Sequence, residues 1–490
     1  MSSGPIPFGT RIHQLAEEHG DEPAIIYLPE DGSERIVSWT ELDERSTQLA
    51  RALAAKGIGQ GDRFGIKLRN SPEHYFASFA GWKLGAVVVP IRWDLPEWEL
   101  ERVRGVLEAK FVLEPTDVEL IEGSRSESTE PLPDAIAPNA RGILSSGSTG
   151  SPKVILNNAP GVWQPGGSAN MLIEAYGPLS RPQLILVPAP LYHNNGFMST
   201  SNLLGGDRLV LLERFNGARI LEAIEKYKIT GFIATTIMLQ RIEREPESST
   251  RDLSSIEWVM HGAAPLPDWL AKRWIELIGP KHFYVCYGSS EGAGSTFANG
   301  DEYLQHAGTV GKGSLGTQLR ILDDDGNDVP QGEIGAIYMK SAYGLMASYV
   351  GNVAPIPVTE DGFASVGDLG WLDEDGYLYL ADRRVDMIIS GGANVYPAEV
   401  ESAVSEHPGV SDVVVIGLSD PEWGRRVHAI VQPMDPANPV SAEEIIAWCK
   451  ERLSPYKVPK SIEYVDSIPR SEATKINRAT LIAEREGTPA

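Results

Sequence analysis

The chain has 490 residues, of which 42% are hydrophobic and 22% are charged, and its formal net charge is −24. Because single hydrophobic cores stop growing at about 250–300 residues, this length predicts at least two domains, and the composition excludes a disordered or fibrous protein. The excess of acidic over basic residues argues against a general nucleic-acid binder, which needs clustered lysines and arginines.

The sequence shows no sign of export, membrane insertion or cysteine chemistry. The N-terminal segment lacks a charged region followed by an apolar stretch, and no apolar run approaches the ~18–20 residues that span a bilayer. We therefore expect a cytoplasmic protein without a membrane span. Cys286 and Cys449 are far apart and have no metal-ligand spacing, so both are expected to be packing residues.

The first elements predicted along the chain are a helix and a strand pair. Residues 13–18 read as helix, and 24–27 and 35–39 read as strands on either side of a turn. Thr40 is the expected N-cap of the next helix, because an acid, Asp43, follows three residues later and apolar residues recur at helical spacing.

The middle of the chain alternates short aliphatic runs with helical stretches. This alternation predicts α/β layers with mostly parallel strands. The polar, proline-rich stretch 124–138 reads as a surface connection. The predicted strands are at 63–68, 86–90, 183–187, 208–212 and 229–234.

The last hundred residues have a different pattern, with helices predicted at 397–407 and 441–452 and strands at 410–417, 427–432 and 461–465. This is enough for a small α+β domain. The predicted fold class is therefore α/β, with a large multi-layer N-terminal domain with mixed sheets, residues 1–383, followed by a small and mobile α+β C-terminal domain, residues 384–490.

The segment between Ser145 and Lys153, with sequence SSGSTGSPK, has the composition of a phosphate-binding loop. Glycines let backbone N–H groups turn inward, hydroxyls donate hydrogen bonds, and the lysine supplies positive charge. It is not the Walker pattern, because the Gly-Lys-Ser/Thr ending is absent. From composition alone, a flexible Ser/Gly linker is the alternative.

The loop resembles the phosphate loop of the adenylate-forming superfamily, which includes acyl-CoA synthetases, peptide-synthetase adenylation domains and luciferase. Seven further segments resemble that family's motifs, in the family's order. They are Pro190–Phe197 beside the acyl pocket, Gly262–Pro265, Tyr287–Glu291, Gly367-Asp368, the hinge Asp382–Asp386, Gly391–Glu399 and Pro469–Arg478.

The resemblance implies a role for each matching residue. Tyr287 and Gly262 would contact the adenine, Asp368 and Arg383 the ribose, Ser290 the α-phosphate, and Glu291 and Thr149 would hold Mg²⁺. Lys475 would serve adenylation, Gly391 and Gly392 would admit coenzyme A, and His193 and Phe197 would border the acid. The residues assigned to the β- and γ-phosphates are Ser145, Ser146, Gly147, Ser148, Thr149, Gly150 and Lys153.

The resemblance implies an ATP-dependent acid–CoA ligase that uses ATP, Mg²⁺ and coenzyme A. A carrier protein, an amine or another nucleophile is the alternative acceptor, and the presence of Glu291 and Lys475 disfavours a non-enzymatic nucleotide-binding scaffold. The stretch 160–178 resembles ligases for bulky acids, which favours an aromatic or polycyclic substrate. A homodimer stays open.

The sequence departs from the family pattern at several positions. Val154, Ala393 and Thr474 replace residues common in the family without removing a group assigned to chemistry, and Ser290 keeps the hydroxyl of the usual threonine. Val385 stands where the hinge of the family usually has Asp or Lys, so the sequence departs from the family at the position expected to rotate.

Overall fold

The computed structural model of the protein describes residues 4–145, 153–351, 355–383, 386–470 and 476–486. The strands within these ranges are β1 (Ile6–Pro7), β2 (Pro23–Leu28), β3 (Arg35–Ser38), β4 (Arg63–Ile66), β5 (Val87–Pro90), β6 (Phe111–Leu113), β7 (Gly142–Ser145), β8 (Lys153–Asn157), β9 (Val162–Trp163), β10 (Leu184–Val187), β11 (Arg208–Leu212), β12 (Gly231–Ala234), β13 (Trp258–His261), β14 (Phe283–Gly288), β15 (Ser295–Asn299), β16 (Lys312–Gly313), β17 (Gln318–Leu322), β18 (Gly335–Lys340), β19 (Ala347–Tyr349), β20 (Asp368–Leu372), β21 (Leu378–Arg383), β22 (Ile388–Ser390), β23 (Ala393–Val395), β24 (Val410–Asp420), β25 (Gly424–Pro433) and β26 (Ser461–Tyr464).

The helices in the described ranges are α1 (Phe8–His19), α2 (Trp39–Ala55), α3 (Pro72–Lys83), α4 (Glu97–Leu107), α5 (Val118–Gly123), α6 (Met171–Glu174), α7 (Asn194–Phe197), α8 (Ser199–Leu204), α9 (Gly217–Tyr227), α10 (Thr236–Glu243), α11 (Asp268–Ile278), α12 (Gly300–Gln305), α13 (Pro397–Ser405), α14 (Ala442–Lys450) and α15 (Arg478–Glu486). None of these helices has both the length and the apolar character that crossing a membrane requires.

A nine-stranded sheet lies at the centre of the large N-terminal part, in the order β16-β15-β14-β13-β12-β10-β11-β2-β3. Its six inner strands, from β14 to β2, are parallel, and antiparallel β15 and β3 flank them. Hydrophobic clusters cover both faces, which explains the continuous aliphatic runs of the sequence. The segments that follow β10, β12, β13 and β14 meet at one edge, where α/β proteins bind ligands. We call it the carboxyl edge.

A second layer faces one side of this sheet. It contains a parallel sheet of β5, β4 and β6 and an antiparallel sheet of β7, β8 and β19, joined by a bridge between Val88 and Arg141. Ile143 of this layer belongs to the same buried cluster as Ile185 and Val187 of the nine-stranded sheet. One core therefore lies between the two layers.

The remaining sheets complete the predicted architecture. A four-stranded sheet, β17-β18-β20-β21, carries Asp368. The C-terminal part has the strand order β23-β22-β25-β24, with β26 parallel to β25, and its own core around Val400, Val415 and Ile445. The predicted fold class, a large α/β part with mixed sheets and a small α+β part, is confirmed; the boundary between residues 383 and 384 stays a prediction.

The start of helix α2 differs from the sequence prediction. Ser38, and not Thr40, is the N-cap: it has extended backbone, and its hydroxyl accepts a hydrogen bond of 3.0 Å from the backbone N–H of Glu41. Strand β3 ends at Ser38, so the helix begins directly after it at Trp39. The prediction of Thr40 as N-cap was wrong because the Ser38 hydroxyl, two residues upstream, accepts from the N–H of Glu41, which has no carbonyl partner within the first turn.

Candidate functional site

The ends of three parallel strands bring the predicted adenine residues together at the carboxyl edge. Ala234 of β12 pairs with His261 of β13, and His261 pairs with Val285 of β14. Gly262 follows β13, and its N–H donates to the Ala234 carbonyl at 3.3 Å. A Cβ atom on Gly262 would lie 3.5 Å from the carbonyl oxygen of Cys286. Gly262 and Tyr287 are therefore on neighbouring strand ends.

The segment after Gly262 has an unusual backbone. Ala263 has φ = 71°, one of four non-glycine residues with positive φ in the described part of the chain. Such a conformation costs about 1–3 kcal/mol and is common where a chain lines a ligand site. His261 is buried beside it and contacts the Thr236 hydroxyl through Nε2 at 3.0 Å, and burial lowers the pKa of His261 to about 3. The imidazole is therefore neutral at pH 7.

The predicted adenine and ribose residues contact each other directly. The Tyr287 hydroxyl donates a hydrogen bond of 2.8 Å to Oδ2 of Asp368. Asp368 begins β20, directly after Gly367, whose φ is 89°, and it pairs across the sheet with Arg383; the Arg383 side chain lies outside the described part. A carboxylate accepts several hydrogen bonds, so Asp368 can hold Tyr287 and still accept from a diol.

Glu291 lies in a cluster that the sequence motifs do not reveal. The Tyr349 hydroxyl donates to Oε1 of Glu291 at 2.9 Å, and Nζ of Lys153 lies 5.3 Å from the centre of the Tyr349 ring. Burial, followed by the nearby Glu291 charge, raises the pKa of Tyr349. Tyr349 therefore links the predicted metal ligand to the predicted phosphate-binding lysine. Ser290 is exposed next to Glu291.

Strands β7 and β8 hold the two ends of the predicted phosphate loop side by side. Ser145 pairs with Lys153 in an antiparallel ladder, so the segment between them begins and ends at the same place, beside Tyr349 of the adjoining β19. The predicted site residues Ser146, Gly147, Ser148, Thr149, Gly150 and Lys475, and the side chain of Ser145, lie outside the described part of the chain.

The two predicted acid-pocket residues have different surroundings. His193 is partly exposed at the start of α7, with its ring centre 4.8 Å from that of Tyr192. Phe197 has 0% of its surface exposed and packs against Trp82 and His74. His193 is open to a ligand, whereas Phe197 would have to move to touch one.

Gly391 and Gly392 form the tight turn between β22 and β23. Both have positive φ, 57° and 81°, as a two-residue hairpin turn requires. The Gly391 N–H donates to the Trp423 carbonyl at 2.8 Å, and a Cβ there would be 2.8 Å from the indole ring. Only glycine fits this position without displacing Trp423.

A cavity of about 340 Å³ lies at the carboxyl edge between the two parts of the chain. Pro188, Pro190 and Arg241 line it on the large part, and Ile468 and Arg470 line it on the small part. Ile468 and Arg470 of the small part therefore lie at the carboxyl edge of the large part.

Comparisons with known proteins agree with these features. The chain matches the family model described as AMP-binding enzyme over residues 12–350, and the model described as AMP-binding enzyme C-terminal domain over residues 399–475. Feruloyl-CoA synthase of an Amycolatopsis species is 32% identical over 90% of this chain and 92% of its own length. A long-chain-fatty-acid–CoA ligase of Mycobacterium tuberculosis is 28% identical over 95% of this chain and 96% of its own.

Solved structures show the same likeness over the whole length. The o-succinylbenzoate CoA synthetase of Bacillus subtilis, in complex with an acyl-adenylate intermediate, superimposes with a TM-score of 0.81 at 28% identity, over 98% of each chain. A structure of that enzyme with ATP and a magnesium ion has a TM-score of 0.80 over 98% of this chain and 99% of that one.

Proposed function

Because the chain belongs to the AMP-binding enzyme family, we propose that it is an ATP-dependent acid–CoA ligase. In the first step a carboxylate oxygen of the acid attacks the α-phosphorus of ATP, and pyrophosphate leaves. In the second step the CoA sulfur attacks the acyl carbon, its proton passes to solvent, and AMP leaves with the former carboxylate oxygen. AMP is a much better leaving group than the oxide of a free carboxylate, so the thiol can displace it and form the thioester.

The structural observation that carries this proposal is the contact between Tyr287 and Asp368 beside Gly262 at the carboxyl edge. An aromatic ring, a glycine surface and a carboxylate suit a nucleoside: the ring and the glycine can enclose a base, and the carboxylate can accept from a ribose diol. Charge stabilisation and positioning are the main contributions a protein makes to phosphoryl transfer.

We assign the remaining roles by the same reasoning. Lys153 would bind the phosphates with Ser145, Ser146, Gly147, Ser148, Thr149 and Gly150. Mg²⁺, held by Glu291 and Thr149, would neutralise phosphate charge when bound, and one or two carboxylates with substrate phosphates are its usual protein ligands. Ser290 and Lys475 would contact the reacting α-phosphate. The Gly391-Gly392 turn would admit the pantetheine arm of CoA.

The acceptor and the acid are the open parts of this function. We favour CoA over a carrier protein or an amine because two relatives, a feruloyl-CoA synthase at 32% identity and an indoleacetate–CoA ligase at 29% identity, are named for CoA thioesters. Both names also specify aromatic acids, so we propose a bulky aromatic acid. A cytoplasmic location and a homodimer stay predictions.

The experiment is pyrophosphate release from ATP and Mg²⁺ with a panel of aromatic, fatty and short acids. We expect release that depends on the acid, and a CoA thioester when CoA is added. If hydroxylamine traps an acyl hydroxamate but CoA forms no thioester, the acceptor is a different nucleophile. Absence of pyrophosphate with every acid contradicts the proposed function.

A further inference from the structure

Two neighbouring strands of the nine-stranded sheet separate at the carboxyl edge. Strand β10 pairs with β11 as far as Val187, and Pro188 and Pro190 follow it in the sequence. Proline has no N–H to donate, so the ladder between the two strands cannot continue. The carbonyl groups of Ala189 and Leu212, which lie at this opening, therefore need donors from elsewhere in the fold.

A single side chain from the second layer fills the opening. Asn70 lies between β4 and α3 and is only 6% exposed. Its Nδ2 donates to the carbonyl oxygens of Ala189, at 3.0 Å, and Leu212, at 3.1 Å. Its Oδ1 accepts from the backbone N–H of Leu191 at 2.8 Å. The Asn70 amide therefore takes the place of the missing ladder between the two strand ends.

The three partners of Asn70 require a carboxamide at this position. Two carbonyl oxygens can only accept and one backbone N–H can only donate, which matches the two donors and the oxygen acceptor of an asparagine amide. Aspartate would bring a carboxylate against both carbonyl groups. An apolar side chain would leave three buried backbone groups without this partner, which is costly.

The segment that Asn70 holds leads directly to His193. The N–H of His193 donates to the Pro190 carbonyl at 3.1 Å, and helix α7 begins at the next residue. Gly196 of α7 lies so close to the segment that a Cβ atom there would overlap the Pro190 carbonyl group. A shift of residues 189–191 must therefore move His193 and the start of α7 as well.

His193 lies in the row of strand ends that also carries the proposed nucleoside site. The ends follow one another along the carboxyl edge in the order β14, β13, β12 and β10. Tyr287 and Gly262, at the first two ends, are the residues proposed to enclose the base. The partly exposed His193 follows β10, and α7 packs against β12. An acid that attacks the α-phosphorus has to lie against the nucleotide, so the next two strand ends are the surface open to it.

We propose that Asn70 is a positioning residue for the acid substrate: its amide fixes the segment after β10 so that His193 contacts the acid in the orientation that adenylation needs. This proposal rests on the proposed ligase function and adds a residue to the same site. Small displacements of a group that orients a substrate lower the rate strongly. The nucleoside contacts at Tyr287 and Asp368 belong to other strands and should not change.

The test compares Asn70→Ala with Gln183→Ala in pyrophosphate release, with the acid of the panel that reacts fastest in the wild type. Gln183 is an equally buried amide at the other end of β10, where it donates to the Ser180 carbonyl at 2.7 Å and accepts from Nε1 of Trp258 at 3.1 Å. In Asn70→Ala we expect KM for the acid to rise at least ~10-fold and KM for ATP to stay within about threefold. Gln183→Ala loses the same kind of bonds and should keep both KM values within about threefold of wild type, although both variants should melt at a lower temperature.

A double variant decides whether Asn70 acts through His193. His193→Ala alone should raise KM for the acid, and adding Asn70→Ala should raise it by less than about threefold more, because the effects of coupled residues are not additive. Asn70→Asp, which keeps the acceptor for the Leu191 N–H, replaces Asn70→Ala if that variant does not fold. If neither variant folds, Asn70 is a structural requirement of the carboxyl edge and the proposal is overturned.

Three further results overturn the proposal. They are an unchanged KM for the acid in Asn70→Ala, a rise of the same size in KM for ATP or in Gln183→Ala, and fully additive effects of Asn70→Ala and His193→Ala. Absence of pyrophosphate from the wild type with every acid of the panel contradicts the ligase function instead.

Discussion

At the scale of single residues, the contact between Tyr349 and Glu291 makes the metal assignment testable. Glu291→Gln keeps an oxygen that can accept from Tyr349 but loses the charge that Mg²⁺ requires. We expect pyrophosphate release to fall at least ~10-fold, equivalent to about 1.4 kcal/mol. The measurement is turnover against Mg²⁺ concentration, with Glu374→Gln at an exposed acid as control. Unchanged turnover of Glu291→Gln at saturating Mg²⁺ would remove Glu291 from the site.

His261 predicts a specific loss of stability at acidic pH. Burial lowers its pKa to about 3, whereas an unfolded histidine titrates near ~6.5. The unfolded chain therefore binds one more proton between these values, and the stabilisation that is complete above pH ~6.5 is lost as the pH falls towards 3, by about 2 kcal/mol at pH 5. Between pH 7 and pH 5, the melting temperature of His261→Gln should fall less than that of the wild type. Identical losses in both proteins would contradict this prediction.

Residues with a local motif could be predicted from the sequence, and residues that act through tertiary contacts could not. Tyr287 and Asp368 were assigned from separate motifs, and the structure brings them to 2.8 Å. Tyr349 was missed because its role depends on the pairing of β19 with β8, which has no signature in the residues around it.

At the scale of elements, the N-cap of α2 can be tested with two neighbouring hydroxyls. Ser38 caps the helix through the N–H of Glu41, whereas Thr40 lies inside the first turn. Ser38→Ala should therefore cost about 1 kcal/mol, while Thr40→Ala should be neutral or slightly stabilising because alanine favours helix. Thermal unfolding of the two variants beside the wild type measures the difference. A larger loss for Thr40→Ala would restore the cap expected from the sequence.

The existence of elements was predictable, and their ends were less so. Hydrophobic runs located the parallel strands of the central sheet because those strands are buried on both faces. The strand predicted at 410–417 extends to Asp420, and the strand predicted at 427–432 begins at Gly424, since the antiparallel ladder between β24 and β25 continues through polar residues. Hydrophobicity marks where a strand is buried, and backbone hydrogen bonding decides where it ends.

At the scale of the whole molecule, a small set of polar contacts holds the two parts of the chain in one relative orientation. Arg244, just after α10, donates from Nη2 to the Val410 carbonyl at 2.8 Å and from Nη1 to the Ser411 carbonyl. Trp269 of α11 donates to the Ser405 hydroxyl at 3.4 Å. The Arg244 guanidinium is partly buried, and this burial lowers its pKa. The Val410 and Ser411 carbonyls of the small part offset the lost hydration, and they reach the guanidinium only in this orientation.

We propose that this orientation is the one used for adenylation, because Ile468 and Arg470 of the small part line the cavity at the carboxyl edge. If Lys475 serves adenylation and the Gly391-Gly392 turn admits CoA, as proposed above, one surface of the small part cannot present both to the same acyl-AMP. The small part should therefore rotate about the hinge region 383–386 between the two half-reactions and break the Arg244 contacts. Val385, in the undescribed part of that hinge, is where proline would restrict the rotation by fixing φ near −65°.

Measuring the two half-reactions separately tests this rotation. Arg244→Ala should lower pyrophosphate release at least ~10-fold, because it loses charged hydrogen bonds present in one orientation, and leave thioester formation from preformed acyl-AMP within about threefold of wild type.

Lys475→Ala should also lower pyrophosphate release, by ~10²-fold or more, as for removal of one electrostatic stabiliser, and should leave thioester formation from preformed acyl-AMP near the wild-type rate. Val385→Pro should impair one half-reaction far more than the other. Arg251→Ala, at an arginine that pairs only with Glu225 and Glu247 among the described residues, should leave both rates unchanged. Equal losses in both half-reactions for Arg244→Ala and Val385→Pro would contradict the rotation, since a contact or hinge that serves one orientation cannot affect both steps alike.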